Sequence, residues 1–164
     1  MRIAVIDSTP LILLTHLGLC LELTPFFDAV YVPRAVQREV NRKGRFRYRL
    51  RKLYETGFFV RCITADATNV RLLQDDVDEG EAEALIQAQE KAATFFIGDD
   101  KRAREIGENL GLKCVGTVRL LARLGREGRA PEPRTLVRKL QRDLRFRVSE
   151  DIVERAIAMA GEPI

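Results

Sequence analysis

The sequence contains no tryptophan, one histidine and only three cysteines among its 164 residues. His16 is expected on a helix surface, and Cys20, Cys62 and Cys114 are too widely spaced to predict a zinc site, so we expect the thiols to be small core residues. No apolar run approaches the length that crosses a bilayer, so no membrane association is expected. The starting segment MRIAVID also lacks the features of a secretory leader, which favours a cytoplasmic location.

The composition is that of a folded protein. Hydrophobic residues make up 46% and charged residues 32% of the chain, a balance that excludes disorder. A chain of this length can bury a core without disulfides, and we interpret residues 1–164 as a single domain.

Short apolar runs alternate with longer amphipathic stretches, which predicts an α/β fold with helices on both faces of a mostly parallel sheet. The predicted strands are 3–6, 29–32, 58–63, 94–97 and 113–115. The predicted helices are 9–17, with Thr9 as its N-cap, then 33–41, 79–91, 101–110, 118–124, 134–144 and 150–159.

Aspartates follow two of the most apolar predicted strands. Asp7 comes directly after the first strand, and Asp99 and Asp100 come after the fourth. Ligands of open parallel sheets bind at the carboxyl ends of strands, so these side chains converge if the two strands are neighbours. The alternative is that each aspartate only caps the following helix. For Asp7 that alternative is weakened, because Ser8 and Thr9 lie closer to Pro10 and could cap the helix themselves. Only one of Asp99 and Asp100 can cap the following helix.

Two glutamates lie at the edges of predicted apolar helix faces. At about 100° per residue, Glu39 falls beside the stripe of Val36 and Val40, where its alternative is an exposed ion pair. Glu81 borders the buried face of the helix in DEGEAEAL, whereas Glu83 is predicted to point away. The alternative for Glu81 is a capping box with Asp78.

Four or five carboxylates at one sheet edge repel one another, so their pKa values must shift or a cation must bind. Oxygen ligands of this kind favour Mg²⁺ or Mn²⁺.

The net charge of +4 is concentrated in two basic tracts, at 42–52 and at 119–147. The first interleaves arginines with Phe46 and Tyr48 and contains no acidic residue. Either tract is explained by a solvated helix face or by phosphate binding.

Four segments in this order resemble PIN-domain proteins: VIDSTPLILL, VPRAVQREV, DEGEAEAL and FIGDDKRAREIGENLGLKCVGT. The resemblance covers essentially the whole chain and is greatest to a prokaryotic branch related to VapC-type toxin ribonucleases. It implies an α/β/α sandwich around a mostly parallel sheet, with an acidic Mg²⁺ or Mn²⁺ site for phosphodiester hydrolysis. Carried over, the catalytic acids are Asp7, Glu39, Glu81 and Asp100, with Asp7, Asp99, Asp100 and Glu81 as candidate metal ligands.

The resemblance also implies partners. Single-stranded or looped RNA is the expected substrate, and an antitoxin protein and homodimerisation are expected of the family. Ser8 or Thr9 and Thr117 resemble hydroxyl residues that line such sites. Candidate nucleic-acid-binding residues are Lys101, Arg102, Arg104, Arg42, Lys43, Arg45 and Arg47.

Two rival functions remain open. An aspartyl-phosphate hydrolase also has an aspartate after its first strand, but it expects a second acidic residue where this chain has Thr9. A catalytically inactive PIN-fold module that binds RNA or a partner is the other alternative, and metal-dependent cleavage discriminates it from an enzyme.

Overall fold

Five short parallel strands form the central sheet of the computed structural model, which describes residues 1–164. They are β1 (Ile3–Ile6), β2 (Ala29–Val32), β3 (Phe59–Arg61), β4 (Phe95–Ile97) and β5 (Lys113–Val115), in the order β3-β2-β1-β4-β5. Every pairing is parallel. β1 lies at the centre with all four residues buried, as expected of a strand covered on both faces.

The chain forms two compact units, Met1–Val115 and Gly116–Ile164. The first contains the sheet and six α-helices: α1 (Ser8–Leu17), α2 (Arg34–Arg42), α3 (Arg47–Glu55), α4 (Ala67–Leu73), α5 (Glu79–Glu90) and α6 (Lys101–Asn109). One-turn 3₁₀ helices occur at Cys20–Leu23 and Gly44–Phe46.

The order of the strands determines the faces on which the helices lie. Right-handed crossovers place α1 to α3 on one face and α4 to α6 on the other, because the connections reverse direction after β3. On the second face, Val5 and Phe96 pack with Leu85 of α5, Ala103 of α6 and Val70 of α4. The parallel sheet with helices on both faces confirms the predicted α/β sandwich.

The second unit contains α7 (Thr117–Arg126), α8 (Pro133–Leu144) and α9 (Glu150–Ala158). Arg123 donates hydrogen bonds to the carbonyl groups of Ala160, Gly161 and Glu162, and it also pairs with Glu127 at 2.8 Å. Arg123, which belongs to the second basic tract, therefore stabilises this unit through contacts within it. None of its helices, and no other helix of the chain, is long and apolar enough to cross a membrane.

Most predicted elements are present, with three differences. Strands β1, β2 and β5 have the predicted bounds, whereas β3 and β4 are shorter than predicted. Helices α3 and α4 were not predicted, because α3 lies inside the basic tract and has only Leu50 fully buried. The predicted N-cap at Thr9 is wrong: α1 begins at Ser8, and Asp7 occupies the N-cap position.

The thiols lie where small hydrophobic residues are found. Cys20 and Cys62 are buried, Cys114 is half-buried, and all three are unpaired. Burial raises the pKa of the Cys20 thiol to about 12, so the thiol stays protonated.

Leu85 tests the packing of α5 on the sheet. It is fully buried, so we expect Leu85→Ala to lower the free energy of unfolding by about 2–5 kcal/mol through lost burial and a cavity. Leu72→Ala is the matched control, because Leu72 is 63% exposed and should change stability by about 0.5 kcal/mol or less. Urea unfolding measures both, and equal effects would contradict the proposed packing.

Candidate active site

Asp7 lies at the carboxyl edge of the sheet, directly after β1. Its backbone N–H donates to the Ile97 carbonyl at 2.9 Å, which joins the ends of β1 and β4. Its side chain makes no capping bond to α1, although it occupies the N-cap position. The side chain is only 4% exposed, and Oδ1 is shielded from solvent without a hydrogen-bond partner. Helix capping therefore does not account for this carboxylate.

Burial raises the pKa of the Asp7 carboxyl to about 8. The Ser8 backbone N–H opposes this shift, whereas the negative charges of Glu81, Asp78 and Glu39 add to it. A buried acid with acidic neighbours is stable only when it binds a proton or a cation.

Gly80, at the start of α5, shows that the carboxylates converge. A methyl group placed on its Cα would lie 3.4 Å from Asp7 Oδ1, 3.4 Å from Asp78 Oδ1 and 3.6 Å from Glu39 Oε2. Three carboxylate oxygens from β1, α5 and α2 thus surround one point that the glycine leaves open. We call Asp7, Glu39, Asp78 and Glu81 the acidic cluster.

Glu39 reaches this cluster because α2 is attached to its neighbours at its first turns. The Ala35 backbone N–H donates to Glu83 Oε2 at 2.7 Å, and Gln37 Nε2 donates to the Val32 carbonyl at 2.7 Å. These bonds hold α2 against α5 and against the end of β2. The prediction that Glu83 points away is wrong, because its carboxylate accepts a backbone N–H in the first turn of α2.

Glu81 belongs to a capping box and to the acidic cluster at once. Asp78 Oδ1 accepts the Glu81 backbone N–H at 2.9 Å, and Glu81 Oε2 accepts the Asp78 backbone N–H at 3.0 Å. Burial raises the pKa of the Glu81 carboxyl to about 7, the Asp78 N–H lowers it, and the charges of Asp78, Asp100 and Glu39 raise it. The capping alternative is confirmed, and Glu81 is also close enough to the other acids for their charges to raise its pKa.

Asp100 and Asp99 follow β4, next to β1. Asp100 Oδ1 caps α6 by accepting the Ala103 N–H at 2.9 Å, and it is close enough to raise the pKa of Glu81. Asp99 is half-buried. Its carbonyl accepts a 2.6 Å bond from Arg104, which also donates to the Gly98 carbonyl. Arg104 therefore stabilises the loop that carries both aspartates.

The donor set suits a hard divalent cation, because it consists of carboxylate oxygens and includes one buried oxygen without a partner. No group of three or more His, Cys, Asp or Glu side chains is already arranged to hold a metal ion. Magnesium needs only one or two direct carboxylates, since it keeps several of its waters. The residues present therefore fit such an ion.

The remaining predicted residues lie in several places. Ser8 is buried beside Asp7, Thr9 is exposed, and Thr117 is buried as the first residue of α7 in the second unit. Their roles as lining residues stay predictions.

Several predicted phosphate-binding cations are partly engaged with protein groups. Arg102 pairs with Asp76 at 2.7 Å, and Lys101 lies 3.7 Å from Glu105 with most of its side chain exposed. The Arg45 guanidinium stacks over Phe46, whose ring is buried and unavailable to a ligand. Arg42 and Lys43 are exposed at the end of α2.

Asp78 and Gly80 are the members of the site that the sequence alone did not indicate. Asp78 was assigned only as a cap, and nothing in the spacing indicated that its second function is to face Asp7. The available signal was the glycine between two acidic residues at a helix start. Glycine is a poor helix former, so its presence there indicates that a side chain would occupy space that is needed.

Comparison with known proteins identifies one family. A family model described as a PIN domain matches residues 3–162, which include residues of both compact units. No curated protein and no solved structure matches the chain.

The raised pKa of Asp7 predicts how stability depends on pH without metal. An aspartate titrates near 3.8 in the unfolded chain and near 8 here, so the folded state binds more protons between these values. Stability contributed by this group therefore falls as pH rises from about 4 to about 8. Asp7→Asn should remove that contribution and stabilise the metal-free protein at pH 8, by at most roughly 5 kcal/mol, since one pKa unit is worth about 1.4 kcal/mol.

Urea unfolding in EDTA at pH 5 and pH 8 measures this effect. Asp75→Asn is the control, because Asp75 is exposed and should leave the pH dependence unchanged. If Asp7→Asn lost as much stability as the wild type between pH 5 and pH 8, the prediction would be contradicted, because ionisation of Asp7 would then not destabilise the fold.

Proposed function

Because the chain belongs to the PIN-domain family, we propose that it is a metal-dependent nuclease, and specifically an endoribonuclease that hydrolyses phosphodiester bonds. The observation that carries the proposal is the buried Asp7 oxygen, which has no protein partner and faces two further carboxylate oxygens around Gly80. If Asp7 only capped a helix or formed an ion pair, this buried oxygen would have a partner within the protein.

Each acid has a distinct role in the proposed mechanism. Asp7 would hold the cation, together with Asp100 or, as the alternative on that loop, Asp99. Glu39, Asp78 and Glu81 would orient the attacking water and accept its proton, for which a pKa of Glu81 near 7 is suitable. A bound Mg²⁺ or Mn²⁺ would lower the pKa of that water and offset negative charge on the phosphoryl oxygens.

The capping bonds support catalysis by fixing the acids before substrate arrives. Glu81 is held by the Asp78 N–H, and Asp100 by the Ala103 N–H. Ordered carboxylates lose less conformational freedom when a cation and a phosphate bind. A toxin role, an antitoxin partner and a homodimer remain proposals that only the family resemblance supports.

Cleavage of structured RNAs and single-stranded DNA with Mn²⁺, Mg²⁺ or EDTA tests the function. We expect metal-dependent cutting of RNA that falls by roughly a hundredfold or more in Asp7→Asn and Asp100→Asn, because each loses a charged ligand. Asparagine also caps helices well, so Asp100→Asn should keep α6 intact. Asp75→Asn is the control and should cut like the wild type. Absence of cutting on every substrate would favour the inactive binding module.

Gly80→Ala tests the cation site without removing any carboxylate. The added methyl group meets the three oxygens at ordinary contact distances, so the fold should be kept and α5 stabilised by up to about 1 kcal/mol. The methyl fills the space between the acids, so we expect Mn²⁺ to raise the melting temperature of the wild type but not of this variant. Glu79→Gln, at the neighbouring exposed position, should keep the Mn²⁺ effect. A full Mn²⁺ shift in Gly80→Ala would place the cation elsewhere.

A further inference from the structure

A second, positively charged cavity lies between the end of α2, α3 and the end of β3. Its volume is about 420 Å³. Arg47, Arg51 and Arg61 line its sides, and Leu50 and the Tyr54 ring also line it. Arg61 is the last residue of the edge strand β3, which the sequence did not connect with the basic tract.

None of the three arginines forms a close ion pair with a carboxylate. Arg47 donates only to the Asn41 carbonyl, at 3.5 Å. The Arg51 and Arg61 guanidinium groups lie over the rings of Tyr48 and Tyr54, at 5.4 and 5.2 Å from the centroids. Stacking on a ring orients a guanidinium while leaving its N–H groups available to an anion.

Glu55 is the acidic residue at this cavity. Its carboxylate accepts a 2.9 Å bond from Lys52, which lowers the pKa of Glu55, and the positive charge of Arg51 lowers it further. Three arginines against one paired glutamate give the cavity an excess of positive charge, which favours an anionic ligand.

The cavity lies on the same edge of the sheet as the acidic cluster. Arg61 ends β3, and Asp7 follows β1 two strands away, a separation of roughly 10 Å at the usual strand spacing. Glu39 and Asn41 are two residues apart on α2, so they point to nearly opposite sides of the helix. The end of α2, with exposed Arg42 and Lys43, therefore separates the acidic cluster from the arginine cavity.

We propose that this cavity binds a backbone phosphate of a single polynucleotide strand whose reacting phosphate lies at the acidic cluster. The strand crosses the end of α2, where Arg42 and Lys43 face it, and Arg51 and Arg61 hold a phosphate on the far side. Guanidinium groups suit this ligand because they bind phosphate oxygens in pairs. The inference rests on the proposed nuclease function and extends it to a binding site that neither the acidic residues nor the family assignment indicates.

Anisotropy of a fluorescent single-stranded RNA with the full chain in EDTA tests the proposal without turnover. We expect Arg51→Gln and Arg61→Gln each to weaken binding by roughly tenfold, as for loss of a charge-assisted bond. Each should also lower the slope of log affinity against log salt by about 0.7, the value for one phosphate of a single strand. Both arginines are exposed, so thermal unfolding should be unchanged.

A control variant separates this site from general charge effects. Arg71→Gln removes an exposed arginine of α4, on the opposite face of the sheet, and should keep wild-type affinity and salt slope. Loss of affinity in Arg71→Gln equal to that in Arg61→Gln would overturn the proposal, because it would indicate non-specific attraction.

Inorganic phosphate distinguishes a strand-binding site from a site for a small anion. If displacing the RNA requires a far higher concentration of free phosphate than of RNA phosphate groups, the proposal is supported. If inorganic phosphate binds in a way that depends on Arg61 but Arg61→Gln leaves RNA affinity unchanged, the proposal is overturned. Failure of the nuclease function has a different signature. If RNA binding depends on Arg51 and Arg61 but no RNA is cleaved in Mn²⁺, the binding-site proposal is supported and only the nuclease proposal is rejected.

Discussion

Repulsion between carboxylates around Gly80 is the physical constraint that the rest of the first unit accommodates. Asp7, Asp78 and Glu39 approach one point, and the burial of Asp7 removes the water that would screen its charge. The fold keeps them there through contacts that do not depend on the acids attracting one another: the β1–β4 pairing, the bond from Ala35 to Glu83 and the attachment of Gln37 to β2. The cost of this arrangement appears as raised pKa values of Asp7 and Glu81.

Helix capping and site formation use the same side chains. The N-termini of α5 and α6 carry partial positive charge, which stabilises the carboxylates of Asp78, Glu81 and Asp100 near them. Each of these acids accepts a backbone N–H within its own helix. Asp7 differs, since its helix begins without a side-chain cap. Asp7 therefore keeps one buried oxygen without a partner, whereas capping bonds fix Asp78, Glu81 and Asp100 near it.

The end of α2 lies between a negatively charged surface and a positively charged one. Acidic side chains lie on the side of α5, whereas Arg47, Arg51 and Arg61 surround the cavity on the side of α3 and β3. An acidic cluster repels phosphate until a cation binds, whereas arginines attract phosphate at any cation concentration. The family assignment covers nearly the whole chain but does not specify the ligand of the cavity.

The sequence alone determined the α/β class, the bounds of three strands and the positions of most helices, because buried parallel strands are continuously apolar and their helices have marked starts. It also nominated Asp7, Glu39, Glu81 and Asp100 from their places at strand ends and helix margins. Only the tertiary structure decided that Asp78 and Gly80 belong with them, that Glu83 caps α2, and that Arg61 joins Arg47 and Arg51. These relations join residues far apart in the chain, and local periodicity carries no information about which distant elements pack together.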